Sequence, residues 1–216
     1  MQEITATVAD VIQETPTIKT IRFKELFLFK PGDHLFVAEQ KPLSISSSPT
    51  EGFLQFTKKI TGSAFSQQID ALQKGDKLII EGPISSFPFS ENRNAVMLSG
   101  GIGITPLRSM IKYAFDKELP IKIVLLCSNR SPEDILFASE FNAMQSENIK
   151  IIHTLTEGSW SGRTGRINEA LIGVHSIDNP IYYSCGPPRM VEAMIDILKK
   201  MAVSDDDIRI ENFTGY

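Results

Sequence analysis

Cysteine is nearly absent from this chain, whose 216 residues carry only Cys127 and Cys185. Two thiols cannot hold an iron–sulfur cluster or a Cys-rich zinc site, and a cytosolic pair is not expected to form a disulfide. Histidine is scarce as well. His34, His153 and His175 lie far apart and form neither H-x-x-x-H nor H-x-H, so no metal-ligand pattern is present. Long apolar runs are missing, and stretches such as Ile123 to Cys127 are far too short to span a bilayer. The N-terminus alternates polar and apolar residues where a signal peptide needs an apolar block, which makes the cytoplasm the expected location. Positive charge is not in excess: 22 Lys and Arg stand against 26 Asp and Glu, for a net charge of −4. Both signs are interspersed and no basic run tracks along the chain, which argues against nucleic acid as a partner.

What is present suffices for one large domain or two small ones with a real core. One stretch organises the rest, Ala95-Val96-Met97-Leu98-Ser99-Gly100-Gly101-Ile102-Gly103-Ile104-Thr105-Pro106. Its apolar run predicts a buried parallel strand, and its glycines a tight turn. Leu107, Met110, Ile111, Ala114 and Phe115 then recur at helical spacing, which predicts a helix with Thr105 as N-cap and Pro106 as first helical residue. Glycines ahead of a helix N-terminus let the backbone approach a ligand while unpaired N–H groups and the helix dipole point at it, an arrangement that suits a diphosphate. The turn is not G-x-G-x-x-G, and a lone glycine turn is also ordinary structure, so its meaning depends on its neighbours.

Residues 1–90 read as short antiparallel strands, with alternation at Ile4, Ala6, Val8 and again at Ile18, Ile21, Phe23. Turn signals at Pro31-Gly32-Asp33, Pro49 to Gly52 and Lys74-Gly75-Asp76 suit a small Greek-key β-barrel. One helix is expected from Ser66 to Leu72, capped by Ser66, and a linker at Glu81-Gly82-Pro83 and Phe87-Pro88. Residues 91–216 alternate strand and helix, predicting an α/β domain with five parallel strands at Val96–Ser99, Ile121–Ser128, Ile149–Thr154, Ile181–Cys185 and Ile208–Asn212. Ser131-Pro132-Glu133-Asp134 predicts a helix start, and Pro188 to Met201 a helix with Val191, Met194, Ile195 and Leu198 inward.

Four stretches carry the chemistry together. Lys41-Pro42-Leu43-Ser44-Ile45-Ser46-Ser47 is rich in hydroxyls and opens on a cation; Gly62-Ser63-Ala64-Phe65-Ser66 places glycine and hydroxyls at a helix start. The glycine turn and Tyr183-Ser184-Cys185-Gly186-Pro187-Pro188 both end strands of the α/β half, where ligands of such sheets bind. In this order and spacing they resemble the ferredoxin–NADP reductase superfamily over essentially the whole chain. The resemblance implies a flavin-binding barrel followed by a nicotinamide-dinucleotide domain. The family's Arg-x-Tyr-Ser segment is matched by Lys41, Leu43 and Ser44, its serine at a helix start by Ser66, and its G-G-x-G-x-T-P turn by Gly100, Gly101, Gly103, Thr105 and Pro106. Its C-G-P-P turn is matched by Cys185, Gly186, Pro187 and Pro188, and its acidic and aromatic ending by Glu211, Phe213 and Tyr216.

Implied with the family is a hydride passed from NADPH or NADH to FAD, or to FMN, and electrons then handed to a separate acceptor such as a ferredoxin or a subunit of a larger complex. Electron transfer inside a complex, and reduction of free flavin or a quinone, are the alternatives. Cofactor contacts are assigned to Lys41, Pro42, Leu43, Ser44, Ser46, Ser47, Gly62, Ser63 and Ser66 on the flavin side. On the nicotinamide side they are Gly100, Gly101, Gly103, Thr105, Pro106, Ser128, Arg130, Cys185, Gly186 and Pro187. Ser44, Cys185, Glu211 and Tyr216 take the catalytic roles, Tyr216 as a ring covering the flavin. Ser128 and Arg130 are candidates to hold a 2′-phosphate, with Arg163 or Arg166 in reach if the later loop folds over, which favours NADPH; the alternative is that Arg130 caps the loop before Ser131. Three positions depart from the family: Lys41 stands for arginine, Leu43 for an aromatic ring, and Ser85 for the glycine of a Gly-Pro-x-Gly-x-Phe turn.

Overall fold

The alternation at Ala6 and Val8 folds as a period-2 strand should, with both side chains buried and the intervening Thr7 only partly so. A computed structural model describes residues 2–37, 41–158 and 160–213 and divides them into two compact units. The first holds the residues up to Phe89 together with Thr105–Tyr113; the second holds Ser90–Ile104 and the residues from Ala114 onward.

In the first unit, β1 (Gln2–Thr15), β2 (Ile18–Phe23), β3 (His34–Val37), β4 (Lys41–Ser44) and β5 (Leu54–Lys59) precede α1 (Ala64–Asp70) and β6 (Lys77–Ile84). The order is β4-β3-β6-β1-β2-β5 and every pairing is antiparallel. A bridge between Ile45 and Phe56 brings the end of β4 to β5, so the sheet nearly closes into a barrel around Ala6, Val8, Ile21, Phe23, Leu35 and Phe56. The expected linker Glu81-Gly82-Pro83 is instead the end of β6, where Gly82 lies opposite Gln2. A Cβ at Gly82 would stand 3.1 Å from the Phe27 ring and 3.2 Å from Leu35, so this glycine serves close packing rather than a break in the chain. The cap of α1 is Ser63, whose side chain accepts from the Ser66 N–H, not Ser66.

The second unit contains β7 (Ala95–Gly100), the start of α2 (Ile104–Asp116), β8 (Ile123–Asn129), α3 (Ala138–Met144), β9 (Ile149–Leu155), β10 (Arg163–Thr164), α4 (Glu169–Val174), β11 (Ile181–Gly186), α5 (Pro188–Lys200) and β12 (Ile208–Asn212). All five expected strands are present in a parallel six-stranded sheet of order β10-β9-β8-β7-β11-β12. The sixth, β10, has two residues and no apolar pattern to announce it. Ser131 does form the capping box with Asp134, but only a 3-10 turn comes after it, because Ile135 is extended. A 3-10 turn over Gly101–Gly103 runs directly into α2, which puts Thr105 and Pro106 inside its first turn rather than at the cap and the first position. Proline is tolerated there because the first N–H groups of a helix have no intrahelical acceptor. Phe115, expected inward, is 39% exposed. In α5, Val191, Met194 and Leu198 are buried as expected, and Ile195 is only half-buried. Among the described residues no helix is long and apolar enough to cross a membrane.

Candidate functional site

The chain order of the parallel sheet reverses at β7: the strands after it build outward through β8, then the chain returns to place β11 on its other side. The crevice at such a reversal, beyond the carboxyl ends of the strands, is where ligands of open α/β sheets bind. Here it lies between the Gly100–Gly103 turn and Cys185-Gly186-Pro187. The glycines divide the work. Gly103 packs so tightly that a Cβ would stand 2.3 Å from the Cys185 carbonyl oxygen, and a Cβ on Gly100 would stand 2.2 Å from the Met190 sulfur. Gly101, with φ +53°, has nothing within 4 Å of where its Cβ would be. Backbone is thus pressed together below the turn and left open above it, a cradle that a side chain would fill. Behind it Ser99 is wholly buried, in register with Cys185 on one side and Cys127 on the other.

Register also sets Cys185 opposite Glu211, and the Cys185 Sγ donates to Glu211 Oε2 at 3.7 Å. Burial pushes this thiol well above its ordinary range, and the Glu211 carboxylate pushes it further by charge and by accepting its proton. Cys185 is therefore a neutral donor and not a thiolate nucleophile. Burial raises Cys127 to about 11 although the Asn129 amide donates to its sulfur at 3.4 Å. The Phe213 N–H donates to the Gly186 carbonyl at 2.9 Å, which carries the chain past Cys185-Gly186-Pro187. Tyr216 lies outside the described residues. Ser128 stands at the end of β8 opposite Gly100, and the exposed Arg130 pairs with Glu157 at 3.3 Å. Among the described residues no three of His, Cys, Asp and Glu gather where they could hold a metal ion.

In the first unit, β4 presents Lys41, Pro42 and Leu43 partly or fully to solvent and buries Ser44. Leu43 also packs against the barrel core, and Ser44 lies opposite His34. Ser46 and Ser47 are wholly buried. Their hydroxyls serve the barrel. Thr20 donates to Glu14 Oε1 at 2.7 Å, so its one proton is used and Thr57, 2.7 Å away, must donate to it; Ser46, 2.9 Å from Thr57, then donates in turn. Behind Ser46, the Gln55 amide donates to its oxygen at 3.4 Å, and Arg22 donates to Gln55 Oε1. A hydrogen-bonded chain thus runs one way from the Arg22 cation to the Glu14 carboxylate. Ser47 Oγ accepts from the Gln55 N–H at 3.1 Å. Ser66 Oγ is likewise turned inward, accepting from the Thr61 N–H at 2.7 Å. Gly62, just ahead of α1, has open space where a Cβ would stand.

Sequence reasoning missed Arg108 and Glu51. Ile104 to Ile111 are buried on every side of α2, so polar residues there need partners. Arg108 grips Glu51 with both terminal nitrogens, at 2.7 and 2.9 Å, and donates to the Ser46 carbonyl at 2.6 Å. Burial opposes ionisation of Glu51, and the hydrogen bonds and charge of Arg108, the Ser48 N–H and Lys112 outweigh it, holding the carboxyl below its ordinary value. A charged residue amid the apolar positions of a helix was the one available signal.

Residues 97–196 match the family described as the oxidoreductase NAD-binding domain. The chain is 32% identical over 167 residues to the F component of the Na(+)-translocating NADH-quinone reductase of Yersinia pestis (strain Pestoides F), covering 69% of this chain and 40% of that protein. It therefore spans about 40% of the length of the curated relatives it matches. Among solved structures, the cytochrome b5 reductase domain of Ulva prolifera nitrate reductase superposes with a TM-score of 0.85 at 21% identity, covering 97% of each chain. A ferredoxin NADP+ reductase from Neisseria gonorrhoeae, with bound FAD and NADP, gives 0.84 at 19% identity, covering 98% of this chain and 99% of the other.

Proposed function

We propose that this chain is a flavoprotein reductase of the ferredoxin–NADP reductase superfamily, which takes a hydride from NADPH or NADH and passes electrons to a separate acceptor; the match of residues 97–196 to the oxidoreductase NAD-binding domain and the shared fold support this. Residues 1–90 form the flavin part and 91–216 the nicotinamide part. The observation that carries this reading is the open turn at Gly101, at the reversal of the strand order and beside a protonated Cys185. Backbone N–H groups of Gly100–Gly103 and the start of α2 hold the dinucleotide diphosphate. Cys185, kept neutral by burial and by Glu211, which holds its one S–H proton, lines the place of the nicotinamide with an uncharged sulfur. Glu211 retains the proton balance at that edge by accepting from the thiol.

On the flavin side Lys41 supplies a positive charge, Leu43 an apolar surface, and Ser44 a hydroxyl, with the open backbone at Gly62 and Ser63 for the diphosphate. When bound, FAD supplies a hydride acceptor that releases electrons one or two at a time. Titration of the purified protein with FAD, followed by flavin fluorescence, tests this part. Saturable quenching that is lost in Lys41→Glu supports it, and absence of binding by the wild type refutes it.

A relative that is by name one part of a larger reductase supports a second reading, in which the acceptor is a partner in a complex. The isolated chain then reduces ferricyanide readily and free flavin or quinone poorly; equal rates with all three acceptors point to a free-standing reductase.

A further inference from the structure

We propose that Arg108 is a positioning residue that sets the place of Ser44 by clamping the buried loop after β4. This rests on the flavin reading of β4. Leaving Ser44, the chain bridges to Phe56 through Ile45 and enters Ser46-Ser47-Ser48, all three wholly buried. The hydroxyls of Ser46 and Ser47 are bound on the β5 side, to Thr57 and to the Gln55 N–H. Their carbonyls are bound on the other side by consecutive residues of α2: Arg108 Nη1 donates to Ser46 O and Ser109 Oγ to Ser47 O, each at 2.6 Å. Glu51 closes the loop, accepting from the Ser48 N–H at 2.7 Å and from both terminal nitrogens of Arg108.

The barrel does not need this clamp to close, since the β5 hydrogen bonds already hold the loop to the sheet. A buried ion pair is moreover a poor device for stability alone, because desolvation offsets its attraction and apolar residues of similar size do as well. What the pair adds is direction. A guanidinium fork reaches one carbonyl and two carboxylate oxygens at fixed angles, which a lysine cannot do. With its loop fixed on both sides and β3 holding it at His34, Ser44 has one place available. A group that touches a reacting ring needs such a fixed place, because misplacement by about 1 Å can cost about a hundredfold in rate.

The test uses the full chain as Arg108→Lys and as the double variant Arg108→Met/Glu51→Met, which removes both charges together. Hydrogen exchange of the Ser46–Glu51 amides, thermal melting, and steady-state kinetics of the FAD-loaded protein with the preferred nicotinamide and ferricyanide as electron acceptor are measured. In both variants loop exchange quickens and kcat falls about ten- to a hundredfold, while KM for the nicotinamide stays within about twofold and the double variant melts near the wild type. Folded variants with wild-type exchange and wild-type kcat overturn the assignment. So does a loss of kcat that tracks melting temperature alone. A wild type that does not reduce FAD overturns the proposed function itself, an outcome distinct from an active wild type with equally active variants.

Discussion

Cys185 and Glu211 stand opposite each other on β11 and β12, the thiol donating to the carboxylate across 3.7 Å. The pair is a neutral thiol held beside an acid at the carboxyl edge of the sheet. Its chemistry is hydrogen bonding and proton retention, since burial and the neighbouring charge both oppose thiolate formation.

Glu211→Gln removes one of the two influences that raise the thiol. In a Cys127→Ser background, where Cys185 is the one thiol, the ultraviolet absorbance of its thiolate rises at lower pH in Glu211→Gln. An unshifted profile contradicts the charge coupling.

Gly101 and Gly103 separate binding from packing. Gly101→Ala has room for its Cβ and carries the cost of φ +53°, about 1–2 kcal/mol, so the protein folds while nicotinamide binding weakens. Gly103→Ala forces a Cβ to 2.3 Å from the Cys185 carbonyl oxygen and destabilises the fold by about 1–3 kcal/mol or more. Melting curves and nucleotide titrations check both, and equal effects from the two substitutions contradict the division.

Glu51 makes stability depend on acid. Its carboxyl titrates below the ordinary value in the folded state, so its contribution is fully present above the unfolded value near pH ~4.3 and is lost as pH falls through the folded one. Glu51→Met leaves Arg108 buried without this carboxylate and lowers stability at neutral pH by about 3–5 kcal/mol. It also flattens the acid limb of the melting-temperature profile. An acid limb as steep as in the wild type contradicts the ion pair's role.

Arg130 is exposed and paired with Glu157, a contact worth little in water. As a 2′-phosphate partner it gives a clear signature: Arg130→Ala lowers kcat/KM for NADPH more than for NADH, and Glu157→Gln raises it for NADPH. Equal losses for both cofactors reject the phosphate role.

Much of this was legible because local chemistry and global position agree. The run from Ala95 to Pro106 states strand, turn and helix in its own residues, and the topology then places it at the reversal of strand order. The Ser131 box was equally legible and yet opens only a 3-10 turn, because Ile135 is extended and a local cap cannot impose a helix on the residues beyond it. Gly82-Pro83 carries the residues of a chain break, but the tight fit of Gly82 against Phe27 and Leu35 is visible only with the barrel assembled. β10 pairs with β9 and both its residues are exposed, so no pattern marks it. Arg108 and Glu51 were the least legible. Each is an ordinary charged residue in the sequence, and their meaning lies in a pairing across 57 positions of chain.

The most direct measurement is one anaerobic visible spectrum of the FAD-loaded protein before and after NADPH or NADH. The account predicts an oxidised flavin spectrum that bleaches within the mixing time with at least one of the two, and returns when ferricyanide is added. A flavin spectrum that neither nucleotide changes, or a protein that takes up no flavin, contradicts it.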